Sequence, residues 1–153
     1  MPKEFQMNQG AHVRMAQWDD AAVLAVLSYE FNHVQVTSDH VLSRLSSGFH
    51  TEIVVVGEVD GQVVGFACAQ VLESICYAKP WAELVELYVQ ERYRRRGVGR
   101  GLVRMVEQMV QREGATDLLV HTNTMNLAGQ ALYQSMDYEM QLHVSLQKGL
   151  VSP

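Results

Sequence analysis

Between Tyr93 and Leu102 the chain reads Tyr93-Arg94-Arg95-Arg96-Gly97-Val98-Gly99-Arg100-Gly101-Leu102, and no other stretch constrains the fold as tightly. Upstream, Trp81 to Val89 has the composition of a strand. Downstream, Val98, Leu102, Val106, Met109 and Val110 recur with the helical period until Gly114 stops them. The stretch is therefore a turn leading from a strand into a helix N-terminus. Such a turn exposes backbone amides and the positive end of the helix dipole, and its glycines let an anion approach the main chain. Seven of the twelve Lys and Arg residues, Arg92, Arg94, Arg95, Arg96, Arg100, Arg104 and Arg112, fall in this part of a chain whose net charge is -5. That asymmetry marks a local anion site suited to a pyrophosphate. The same residues also fit a tight turn beneath a solvated charge run. The dinucleotide fingerprint G-x-G-x-x-G is not met, because the glycines run Gly97-x-Gly99-x-Gly101 behind an antiparallel hairpin, and no Lys-Ser or Lys-Thr completes a Walker pattern.

The rest of the chain supplies the frame. Its 153 residues, 48% of them hydrophobic, suffice for one domain spanning 1-153 with an unaided core. A short strand is expected around Val13, a helix capped by Asp19 running to Phe31 over Ala22, Val23, Val26 and Leu27, and a second helix after Ser38. Thr51 to Glu58 and Gln62 to Leu72 are Val-rich and joined by Asp60-Gly61, the pair that a tight hairpin turn wants. Leu118 to Thr122 reads as a short buried strand, and Asn126 caps a helix over Leu127 to Ser135. Tyr138 to Leu146 alternates as a last strand. The order is β-α-α-β-β-β-α-β-α-β, an α/β (α+β) arrangement.

Composition narrows the function classes. The acidic net charge, with Tyr93 the single aromatic among the arginines, argues against a nucleic-acid partner. No apolar run approaches the roughly 20 residues of a membrane span, and Met1-Pro2-Lys3-Glu4-Phe5-Gln6 begins no signal peptide, so a soluble cytoplasmic protein with no membrane partner is expected. Two cysteines, Cys68 and Cys76, and six histidines without ligand spacing lead us to expect no metal.

Arg94-x-x-Gly97-x-Gly99 after Leu87-Tyr88-Val89 resembles the acetyl-CoA signature of the GCN5-related N-acetyltransferase (GNAT) superfamily. Asn126-Leu127-Ala128-Gly129-Gln130-Ala131-Leu132-Tyr133, followed by Met136-Asp137-Tyr138, is similar to that superfamily's later motif. The resemblance implies a mixed, mainly antiparallel central sheet flanked by helices over almost the whole chain. It also implies an acetyl-CoA-dependent N-acetyltransferase, with direct attack by a primary amine in a ternary complex. Acetyl-CoA would be held by Leu87, Tyr88, Val89, Arg94, Arg95, Arg96, Gly97, Val98, Gly99, Arg100 and Asn126. The thioester carbonyl would be polarised by a backbone amide near Leu87 to Val89, and Tyr133 would protonate the leaving thiolate.

Glu83 and Glu86 are the candidate bases. They differ by an odd number and point to opposite faces of a regular strand, so only one faces the cleft unless a bulge intervenes. By the resemblance, Glu83 lies where the histone-acetylating branch carries its base, and Glu86 lies just before the family's bulge, where small-amine acetylases place a carboxylate. A family glycine is replaced by Asp137 at a left-handed helix end, at a cost of about 1 kcal/mol at most. A small cationic amine is the favoured acceptor. A protein or peptide amine, or a non-catalytic CoA-sensing module, is the alternative. A homodimer is the default assembly.

Overall fold

The computed structural model describes residues 5–6, 10–46 and 52–151. It divides into two compact units, Met1–His121 and Thr122–Pro153.

The first unit contains β1 (Phe5–Gln6), β2 (Ala11–Met15), α1 (Ala21–Asn32), α2 (Ser38–Ser46), β3 (Glu52–Val59), β4 (Gln62–Leu72), β5 (Trp81–Val89), α3 (Val98–Arg112) and β6 (Leu118–Val120). Among the described residues these strands form a six-stranded sheet in chain order. Every neighbouring pair is antiparallel except β5 and β6, which run parallel across the α3 connection. The hairpin joining β3 and β4 turns at Asp60 and Gly61, with φ of 51° and 77°, the double left-handed turn expected of that pair.

Helix α3 packs on β2, β3, β4 and β5. Its inward face buries Val98, Leu102, Val103, Met105, Val106 and Val110 against a sheet face that includes Val55, Ala67 and Ala69. Gly57 makes this approach close, since a Cβ there would lie 2.6 Å from Val98 Cγ1. Helix α3 ends as Gly114 turns left-handed at φ 86°, with the Ala115 amide bonding the Val110 carbonyl at 3.0 Å. The opposite sheet face meets α1 through Leu24, Leu27, Val56 and Phe66.

Asp19 does not cap α1. A short 3-10 turn over Trp18–Asp20 precedes that helix, and Asp20 is the residue at its boundary. Asp20 is buried because Arg14 from β2 reaches it with two bonds of 2.7 and 2.9 Å, while its Oδ2 also accepts the Gln17 amide at 2.7 Å. Arg14 Nε donates in turn to Glu58 Oε1 at 2.8 Å. A buried carboxylate needs such a partner, and Arg14 fixes which of the two adjacent aspartates turns inward.

The second unit contains α4 (Leu127–Gln134). Asn126 caps it, as its side chain accepts from the Gly129 amide at 3.0 Å. Asp137 ends the following turn at φ 68°, the left-handed position anticipated for it. The strand expected over Tyr138 to Leu146 is not formed. Alternation marks one side for burial, but a strand also needs a backbone partner. Among the described residues this segment has no ladder, and Met140, Leu142, Val144 and Leu146 are exposed.

Candidate active site

Strand β5 departs from regularity at one point, and that point decides where its carboxylates go. The β4–β5 register runs Gln70↔Glu83 and Ala69↔Leu84, then Cys68↔Glu86, Ala67↔Leu87, Phe66↔Tyr88 and Gly65↔Val89, leaving Val85 without a partner. Val85 is the extra residue of a β-bulge. Paired residues of an antiparallel ladder share a face, and Cys68 and Gln70 are two apart on β4. Glu83 and Glu86 therefore face the same way, despite their odd spacing. The burial pattern confirms the change of phase, because Ala82 and Leu84 are buried ahead of the bulge and Val89 beyond it. Glu52 of β3 pairs with Gln70, so a third carboxylate joins this face.

This is the face toward α1 and α2. Phe66, Cys68 and Tyr88 border the apolar cluster at one end, and Glu52, Glu83 and Glu86 line the other. Arg44 of α2 pairs with Glu52 at 2.7 Å. Burial pushes the Glu86 carboxyl above the usual range. The thiol of Cys68 opposes that by hydrogen bonding, and the charge of Glu52 adds to it. The Cys68 thiol is itself pushed up, first by burial and then by Glu86. At the end of the strand Tyr88 Oη donates to Glu30 Oε2 of α1 at 3.1 Å, and Gln90 Nε2 reaches the same carboxylate at 3.2 Å. Glu30, Tyr88, Gln90, Glu91 and Arg92 line an open cleft there.

On its other side β5 pairs with β6 only over Ala82, Glu83 and Leu84. From Val85 to Val89 that edge has no neighbouring strand among the described residues. Such an edge presents backbone donors and acceptors.

The glycine turn follows directly. Arg95 and Gly97 both take left-handed conformations, at φ 63° and 85°, and Gly97 is the N-cap of α3. The Gly101 amide bonds the Gly97 carbonyl at 2.9 Å, and the first-turn amides ahead of it have no helical acceptor. Left-handed turns opening a helix form an anion-binding concavity, so this stretch suits a pyrophosphate. The arginines divide their work. Arg94 Nε donates to the Val89 carbonyl at 2.8 Å and pins the turn to the end of β5, while Arg92 and Arg96 lie over the Tyr93 ring.

In the second unit, both ends of the Asn126 amide are engaged locally, Oδ1 by Gly129 and Nδ2 by Thr122 Oγ1 at 3.0 Å. Tyr133 stacks at a tilt on Tyr138, 5.6 Å between centroids, and burial pushes its phenol up to about 12. Sequence reasoning missed Glu52, Cys68 and Gln70. Their place comes from the β3–β4 register, which begins at Asp60-Gly61, shifts between Gly57 and Glu58, and sets all three on the face of Glu86 once the bulge of β5 is known.

A mainly antiparallel sheet with one parallel pair, β5 and β6, stands beside the glycine turn, and comparison with known proteins gives the family that shares this arrangement. The family model described as the acetyltransferase (GNAT) family matches residues 16–138. The chain belongs to that family. It is 31% identical over 98 residues to N-acetyltransferase family 8 member 7 of Mus musculus, a match covering 64% of this chain and 43% of that protein. The chain thus spans less than half the length of this curated relative. Its fold is shared with an aminoglycoside acetyltransferase from an uncultured soil metagenomic sample, solved in complex with trehalose. That match has a TM-score of 0.79 and 18% identity, covering 96% of this chain and 100% of that one. The fold is shared as well with AAC(6')-Iy, solved with the bisubstrate analogue CoA-S-monomethyl-acetylneamine. There the TM-score is 0.77 and the identity 19%, covering 92% of this chain and 99% of that one. No helix among the described residues is long and apolar enough to cross a membrane.

Proposed function

We propose that this chain transfers an acetyl group from acetyl-CoA to the primary amine of a small cationic molecule, by direct attack in a ternary complex. The observation that carries this reading is the bulge at Val85, which turns Glu86 onto the face of Glu83 and Glu52. Three carboxylates there favour a cationic acceptor, and the one nearest the bulge is half-buried.

Acetyl-CoA, when bound, supplies an acyl group activated as a thioester. The amides of the Arg95–Gly97 turn and of Val98 and Gly99 would hold its pyrophosphate, with the charges of Arg94, Arg95, Arg96 and Arg100 around them. The unneighboured edge of β5 at Leu87, Tyr88 and Val89 would present a backbone amide to the carbonyl oxygen. Asn126 would serve the pantetheine arm, as the family resemblance implies. An alkyl ammonium with a pKa near 10.4 gives up its proton at neutral pH at a cost of roughly 4 to 5 kcal/mol. A carboxylate raised by burial is better matched to that task than an ordinary one, and Glu86 Oε takes the proton in this reading, with Glu83 binding the cation. Tyr133 Oη stays protonated through neutral pH and gives its proton to the departing thiolate.

Two measurements test the reading. Acetyl-CoA at about 100 times its dissociation constant should add roughly 2.7 kcal/mol of stability, or about 5 to 10 °C in Tm, and NAD and ATP much less. Gly99→Glu should lose this shift while staying folded, because side chain and charge would fill the pyrophosphate position. Mixed with a panel of amines and acetyl-CoA, the parent should release free CoA. Binding without release would instead identify a sensing module, and a shift with NAD alone would remove the cofactor assignment.

A further inference from the structure

Cys68 lies midway along β4, between two other strands of the sheet. Its ladder partners are Val54 on β3 and Glu86 on β5. The second pairing exists only because of the bulge. Had the register continued unbroken from Ala69↔Leu84, Cys68 would oppose Val85, and Glu86 would turn with Ala67 toward α3. Cys68 is half-buried, and as ladder partners on one face its side chain and that of Glu86 are direct cross-strand neighbours. Other groups on this face are Glu83 on the same strand, Glu52 on β3 with Arg44 of α2 upon it, and Tyr88 with Glu30 of α1 at the far end. The ladder partner of Glu86 is thus a side chain that carries a hydrogen it can donate.

We propose that Cys68 is a positioning residue for acetyl transfer: its thiol donates S–H to the Glu86 carboxylate and holds it in the orientation and ionisation state in which it takes the amine proton. The proposal rests on Glu86 being the base. A thiol is a weak donor, so it steadies the carboxylate without competing strongly for the lone pair that must receive the proton. Because burial and the neighbouring carboxylate keep it protonated, it remains a donor and is no rival nucleophile for the acetyl group.

The S–H stretching band reports this bond without any substrate. Cys76→Ser leaves Cys68 as the single thiol of the chain. Its infrared band should lie at low frequency at neutral pH, rise as Glu86 is protonated, and lose that pH dependence in Glu86→Gln. A band that ignores pH in the Cys76→Ser protein overturns the proposal.

Kinetics supply the second arm, with CoA release followed on putrescine, spermidine and neamine. Cys68→Ala removes the donor that favours the ionised form, so the acidic limb of kcat/KM should move to higher pH, with about tenfold loss at neutral pH. Cys68→Ser, which keeps a donor, should restore the limb. In a Glu86→Gln background Cys68→Ala should have no further effect on it. If Glu86→Gln abolishes the limb and Cys68→Ala leaves it in place, the positioning role fails and the base survives. If Glu86→Gln itself leaves the limb unchanged, the reading of the base fails, and Cys68 with it.

Discussion

The two faces of the central sheet are built on opposite principles. Toward α3 the sheet presents small and β-branched side chains such as Val55, Ala67, Ala69 and Ala82. The helix fills them with Leu102, Val103, Met105 and Val106, all at 2% exposure or less. Toward α1 and α2 the same strands carry an apolar cluster at one end and carboxylates at the other, with Glu86 only half-buried. A single β-bulge separates the two designs, because it decides which face receives each residue of β5. Stability is concentrated on the first face and the proposed chemistry on the second. Substitutions on the two should therefore have effects of different kinds.

The largest effect should come from the α3 face. Leu102 is fully buried, and Leu102→Ala removes its packing and leaves a cavity between helix and sheet. A loss of about 3 to 5 kcal/mol is expected in denaturant unfolding. The rate per folded molecule should stay within a few-fold of the parent. A variant that keeps its stability and loses its rate would show that the two faces are not separable in this way.

The next effect should come from the opposite face and be kinetic. Glu86→Gln should lower turnover roughly 100-fold or more at neutral pH and be partly relieved at alkaline pH, where more of the amine is already neutral. Glu83→Gln should show no such relief. Tyr133→Phe should cost a similar factor with no alkaline relief, since a phenol donating to the thiolate is not replaced by a more neutral amine. If Glu83→Gln is the variant rescued by alkali, the roles of the two glutamates are exchanged. If both keep the parental pH profile, a water chain removes the proton.

How much of this was legible in the chain depended on whether local rules sufficed. The hairpin at Asp60-Gly61, the strands Gln62 to Leu72 and Trp81 to Val89, and the helix from Val98 were readable because turn chemistry and hydrophobic period act over a few residues. Asp137 was readable for the same reason, as its left-handed position depends only on the adjoining helix end. The cap of α1 was misread because the choice between Asp19 and Asp20 is made by Arg14 on another strand. Tyr138 to Leu146 alternates as a strand would, yet pairing is a property of two segments and not of one. Parity puts Glu83 and Glu86 on opposite faces unless a bulge intervenes; the resemblance sets that bulge after Glu86, whereas the structure has it at Val85, whose identity carries no sign of it. Glu52 was missed because its place near the site comes from ladder register.

The smallest effect distinguishes two carboxylates on the α1 side of the sheet by the sign of their pH dependence. Asp20 is held below the ordinary carboxylate range: burial opposes ionisation, but the Arg14 guanidinium and the Gln17 amide outweigh it. Such a group contributes stability above its unfolded pKa, and the contribution is lost as pH falls through the lower, folded value. Asp20→Asn should therefore be less stable than the parent at neutral pH, with the gap closing in acid. Among the described residues Glu86 has no such cation, and it is shifted upward, first by burial. Its contribution is full below the unfolded value and disappears as pH rises through the folded one, so at neutral pH the ionised side chain burdens the fold. Glu86→Gln should consequently be slightly more stable than the parent near neutrality and converge with it below the ordinary carboxylate range. Urea titrations at a series of pH values measure both differences. Curves of the same sign would mean that Glu86 has a compensating cation, and that the carboxylate face is built for stability like the face toward α3.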